Sequence, residues 1–131
     1  MRRKILLWAL LLIAVFLIGY VPSYWRARNL NQEVDAARQE ISQLRLRDAI
    51  GRVYFEASEK NYGRAKEASV RFFDQARQLK DRTENAGLKQ SLQQMLDAQQ
   101  TISFKLGQAD PAVLNDLARL YRQTQQATGG A

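Results

Sequence analysis

ILLWALLLIAVFLIGYV, residues 5–21, follows Met1-Arg2-Arg3-Lys4 and runs seventeen residues without a charge. With three basic side chains before it, Tyr20 near its end, and Tyr24, Trp25, Arg26 and Arg28 just beyond, the run reads as a transmembrane helix. Seventeen helical residues cover about 25 Å, slightly less than the ~30 Å hydrocarbon core of a bilayer. The flanks must therefore contribute, with Tyr20, Tyr24 and Trp25 suited to one headgroup layer and Arg2, Arg3 and Lys4 snorkelling into the other. A cleaved secretory signal is the competing reading. It asks for an apolar core of about 7 to 15 residues and small residues before the cut. This run is longer, and Val21-Pro22-Ser23 makes a poor cleavage site, so the sequence favours a retained span.

Orientation follows from the basic residues at the two ends. Arg2, Arg3 and Lys4 crowd one side, whereas Arg26, Arg28 and Arg38 are interspersed with Glu33 and Asp35 on the other. The expectation is a single-pass membrane protein with residues 1–4 cytoplasmic and the C-terminal domain extracytoplasmic, periplasmic in a bacterium. The lipid bilayer is then its first partner. Three of the 20 Lys and Arg side chains behind the net charge of +7 belong to this N-terminal flank, and the others are mixed with 13 acids. Arg64, Lys66 and Arg71 come closest to a basic stripe, but Glu67 and Asp74 lie among them. A solvated helix face accounts for them better than a nucleic-acid surface.

The remainder is helical in composition, rich in Ala, Leu, Gln, Arg, Glu and Lys, with two prolines and few glycines before the tail. The expected fold class is all-α: an N-terminal transmembrane helix, then an up-and-down bundle of about four helices, the first long and partly coiled-coil-like. Residues 22–60 form the membrane-proximal long helix, beginning near Ser23 or Tyr24. Leu30, Val34, Ala37, Ile41 and Leu44, spaced 4, 3, 4, 3, make a candidate association seam two heptads long. Beyond Leu44 the apolar residues become Leu46, Ile50, Val53, Tyr54 and Ala57, which point roughly opposite. Either the helix changes partners there, or it breaks near Arg47 to Gly51.

Residues 61–123 supply the antiparallel helices that complete the bundle. After a turn at Asn61 and Gly63, Tyr62, Ala65, Ser69, Phe72, Ala76 and Leu79 form a core stripe, with Ser69 expected to bond the Ala65 carbonyl. Gly87 is expected to cap that helix in the left-handed conformation. Leu88, Leu92, Met95, Gln99, Ile102 and Leu106 then define one helix that stops at Gly107, and Gln99 in it needs a hydrogen-bond partner. Asp110 as N-cap and Pro111 at the first position open the last helix, which carries Val113, Leu114, Leu117, Leu120 and Tyr121. Residues 124–131 read as a disordered tail. Asp48–Arg52, Glu56–Lys60 and Glu67–Arg71 are spaced as i, i+4 pairs.

The chain has no histidine and no cysteine, which removes thiol and histidine catalysis, disulfides, structural zinc and di-iron Glu-x-x-His sites. The carboxylates lie off the apolar seams, so no enzyme, metal or cofactor is expected. The expected function is contact with other proteins, as a scaffold or accessory subunit, by self-association or with another membrane protein. Phe55 and Phe104 fall outside their helices' apolar stripes and are candidate surface contacts. A ligand-sensing or solute-binding bundle is the alternative; it requires a cavity lined by Tyr54, Tyr62, Phe72 and Met95. An anion or nucleic-acid binder is the lesser one.

Two resemblances bear on this. Gly51, Tyr54, Tyr62, Gly63 and Ala65 look like the first half of a tetratricopeptide repeat, but the Tyr54–Tyr62 interval is two residues too long and no second copy follows. In layout, the first half resembles the small bitopic septum proteins of bacterial cell division, which implies a scaffolding role; the helices from Tyr62 to Gln123 depart from that layout.

Overall fold

The structure, a computed structural model, describes residues 1–129, apart from the side chains of Arg2 and residues 20–24. Every element among the described residues is helical: α1 Arg2–Ser58, α2 Tyr62–Arg82, α3 Ala86–Asp97, α4 Gln99–Gly107 and α5 Val113–Gly129. The chain divides into two compact units, residues 1–38 and residues 39–131.

The first unit belongs to α1 alone. Its apolar side chains have no buried face: from Ile5 to Ile18 the large ones are all between 56% and 74% exposed. Among the described residues, however, no helix is long and apolar enough to cross a membrane. The expected transmembrane helix at residues 5–21 is corrected accordingly, and with it the cytoplasmic N-terminus and extracytoplasmic domain. Length is the physical reason. The seventeen-residue run gives about 25 Å of helix against a ~30 Å core, and Arg3 and Lys4 introduce charge immediately before it. Of the expected interface anchors, Arg3, Lys4, Trp25, Arg26 and Arg28 are exposed, while the side chains of Arg2, Tyr20 and Tyr24 lie outside the described residues. A helix start after Pro22 is also overturned, since α1 continues through it.

The second unit is a bundle with one core. Leu46, Ile50, Val53 and Ala57 of α1 meet Ala65, Ala68, Phe72, Phe73, Ala76 and Leu79 of α2, joined by Leu88, Leu92 and Met95 of α3, Ile102 and Leu106 of α4, and Val113, Leu117 and Leu120 of α5. Cross-helix hydrogen bonds give the directions. Gln39 Nε2 donates to Thr83 Oγ1 (3.2 Å), Lys80 Nζ to Gln93 Oε1 (2.9 Å), Arg77 Nη2 to Gln99 Oε1 (2.8 Å), and Arg47 Nε to Thr128 Oγ1 (2.6 Å). α2 therefore runs antiparallel to α1, α3 and α4 run on together antiparallel to α2, and α5 returns beside α1. The rings of Phe72 and Phe73 meet edge to face at 5.1 Å, a geometry aromatic pairs prefer.

α1 stays helical across Arg47 to Gly51, so the expected change of facing is real and no break realigns the two apolar sets. Leu44 is 53% exposed and Leu46 is fully buried. The expected single third helix is instead α3 and α4, divided at Ala98, whose N–H donates to Met95 O. The split does not disturb the stripe, because Leu88, Leu92, Met95, Ile102 and Leu106 are all buried. Gln99 finds its partner in Arg77.

Glycine does not provide the turns. Lys60 (φ 62°) and Ala109 (φ 51°) hold the left-handed positions, and no described glycine has positive φ. At each, the pair of bonds expected of a Schellman cap forms: Asn61 N to Glu56 O with Lys60 N to Ala57 O, and Asp110 N to Lys105 O with Ala109 N to Leu106 O. Gly87 lies inside α3, whose cap is Asn85 Oδ1 accepting from Leu88 N. Asp110 does cap, accepting from Ala112 N, but a turn through Pro111 and Ala112 precedes the start of α5 at Val113.

The tail is ordered, contrary to expectation. α5 reaches Gly129, Thr124 is fully buried, and Thr128 accepts from Arg47; residues 130–131 lie outside the described ones. Ser69 donates to Lys66 O, not to Ala65. The three expected i, i+4 pairs do not close to ion-pair distance, whereas Arg77 pairs with Asp74 and Lys105 with Asp116.

Candidate functional site: the exposed faces of α1

Which face of α1 remains exposed depends on which face the core takes. Leu46, Ile50, Val53 and Ala57 recur every three or four residues and turn into the bundle. The seam upstream is offset from them by about half a turn, since Leu44 and Leu46 are separated by ~200° around the axis. Leu30 (60%), Val34 (45%), Ile41 (48%) and Leu44 (53%) accordingly stay exposed, and Ala37 with them. These are the five seam residues read from the sequence, and none is absorbed by the core.

Open grooves flank the distal half of α1, and two of them carry the residues of interest. The larger, about 880 Å³, has Phe55 and Tyr121 on its walls and carries Arg47, Arg52, Arg64 and Arg71 interleaved with Asp48, Glu56 and Glu67. Its mixed charge offers no concentrated field for a phosphate or nucleic-acid backbone. The smaller, about 400 Å³, is bordered by Ile41 and Leu44 of the seam and by Gln75 of α2, whose Oε1 is buried without a partner among the described residues.

Phe55 and Phe104 are exposed as read from the sequence, and they lie on α1 and α4 respectively. The cavity required by a ligand-sensing bundle is not assembled from its four residues. Phe72 and Met95 are fully buried in the core, and Tyr54 instead borders a shallow concavity with Gly51, Ala118, Tyr121 and Arg122. Among the described residues no cluster of three or more carboxylates could hold a metal ion.

The sequence reading missed Thr124. Its hydroxyl donates to Leu120 O and lies 3.7 Å from Met95 Sδ, so a buried polar side chain is satisfied within its own helix. Its spacing of four from Leu120 was the available signal.

Comparison with known proteins gives no relative: no family model, no curated protein and no solved structure matches the chain.

Proposed function

We propose that this chain is a helical-bundle protein that works by contact with other proteins, as a scaffold or accessory subunit, through the exposed apolar seam of α1. The observation that carries the reading is the seam itself. Leu30, Val34, Ile41 and Leu44 recur at coiled-coil spacing on a helix whose other face already serves the core, and they remain about half exposed. A row of apolar side chains in that arrangement is stabilised by a second helical surface laid along it.

Leu30→Asp and Ile41→Asp test it. In the full chain, crosslinking followed by partner identification is expected to lose its products in both variants, while helical content and the unfolding midpoint stay unchanged. Unaltered oligomeric state and partner recovery in both would sink the reading.

A lipid surface is a second proposed partner, resting on the apolar side chains exposed all round α1 between Ile5 and Ile18 and implying no span. A helix apolar on every side is normally surrounded by apolar material. Flotation of the full chain with phosphatidylcholine vesicles, lost on replacing Leu10, Ile13 and Leu17 by Gln, is the expected result; equal flotation of both forms would refute it.

A further inference from the structure

The composition of the seam names its occupant, and this inference rests on the protein-contact reading above. Placing Leu30, Ala37 and Leu44 at heptad positions d puts Val34 and Ile41 at positions a. Both a residues are β-branched and two of the three d residues are leucine. That is the combination which favours two parallel strands over trimers or tetramers.

The flanking charges agree with the same register. Glu33 and Glu40 fall at positions g, and Arg38 and Arg45 at positions e; all four are exposed. In a parallel in-register pair, each g residue faces the e residue five positions on in the other chain. Glu33 then meets the other copy's arginine at 38, and Glu40 the one at 45, on both sides of the seam. In an antiparallel pair g faces g and e faces e, which would set glutamate against glutamate and arginine against arginine. The charge pattern thus supports one orientation and opposes the other.

The back of the helix fits as well. The f positions, farthest from the seam, are Gln32, which is exposed, and Gln39, Leu46 and Val53. Gln39 bonds Thr83, and Leu46 and Val53 are fully buried in the bundle. Core and seam therefore take opposite sides of α1 and do not compete for it.

We infer that the partner of the α1 seam is a second copy of this chain, paired in parallel and in register from Leu30 to Leu44 as a two-stranded coiled coil. The seam is two heptads long and carries Ala37 at its centre, so the pairing is weak and concentration-dependent. It ends where Asp48 and Gly51 occupy the next a and d positions.

Absence of native cysteine makes the test specific. Leu30→Cys and Leu44→Cys are introduced singly into the full chain and oxidised mildly. A parallel in-register pair is expected to crosslink each variant to itself, because identical positions oppose one another across the axis. Combining Glu33→Arg and Glu40→Arg with Leu30→Cys should lower self-crosslinking by about tenfold. Mixing that chain with one carrying Arg38→Glu, Arg45→Glu and Leu30→Cys should restore it. Crosslinking only when Leu30→Cys is mixed with an Ile41→Cys variant, the a position that faces it in an antiparallel pair, would establish that orientation and overturn the proposal. Self-crosslinking indifferent to charge reversal would overturn it too, indicating association through other apolar surface. If neither variant crosslinks to itself while Leu30→Asp still abolishes recovery of another protein, the second copy is wrong and the protein-contact reading stands. If Leu30→Asp also changes nothing, both fall.

Discussion

Two residues sit where their side chains are least suited. Lys60 and Ala109 adopt the left-handed conformation that closes α1 and α4, and for a residue with a Cβ that conformation costs roughly 1–2 kcal/mol. Ala109→Gly is expected to raise stability by about 1 kcal/mol in urea unfolding, since the Schellman bonds use backbone alone; Lys60→Gly should act likewise. These caps were not legible from the sequence. Gly107 does end α4 as expected, but Gly63 and Gly87 lie inside helices, because the turn position is fixed by where the next helix must begin on the core and not by the nearest glycine. Asp110 was easier to place, as its short side chain bonds the backbone two residues on; Asn85, which caps α3 by accepting from Leu88 N, was passed over in favour of Gly87. Thr124 was misread with the polar tail around it, although its hydroxyl needs no partner outside α5.

The helices themselves were largely visible as spacings. The stripes of α2 and α5 recur every three or four residues and were buried for the most part, because a half-buried helix leaves a periodic record in sequence; Tyr62 and Leu114 are only partly buried and Tyr121 is exposed. Interruptions without proline or glycine leave none: Ala98 lies amid four glutamines and a continuing stripe, so the division between α3 and α4 could not be read. α1 is the element whose two faces carry different tasks. Leu46→Ala should cost the bundle about 2–5 kcal/mol as a core deletion, whereas Leu44→Ala should change its stability by less than about 0.5 kcal/mol. Chemical denaturation of the two variants checks this, and similar losses would mean that the seam belongs to the core. Loss of the polar end of α5 is a further measure. Truncation after Gln123 removes Thr124 and the Thr128 acceptor of Arg47 and is expected to lower stability by about 2 kcal/mol, where a disordered tail would have cost nothing.

At the level of the molecule, the buried hydrophobic residues of the core all lie between Leu46 and Leu120, and residues 39–131 form a unit by themselves. A chain beginning at Gln39 is therefore expected to unfold cooperatively with a midpoint close to that of the full protein; failure to fold would show that residues 1–38 contribute to the core. The all-helical fold was legible because a chain rich in helix formers offers few other ways to bury its stripes. The apolar run at 5–21 was read further than its length carries, as seventeen residues give about 25 Å of helix against a ~30 Å bilayer core and among the described residues no helix is long and apolar enough to cross a membrane. The seam was legible as a row of five residues, and its orientation became clear when its back, Leu46 and Val53, was found buried. That opposition between Leu44 and Leu46 has a consequence for how the chain can vary. One residue inserted between them would rotate Ile41 and Leu44 by ~100° relative to the core, while seven, close to two full turns, would return them nearly to phase. The length of α1 between Leu44 and Leu46 should thus vary only by heptads.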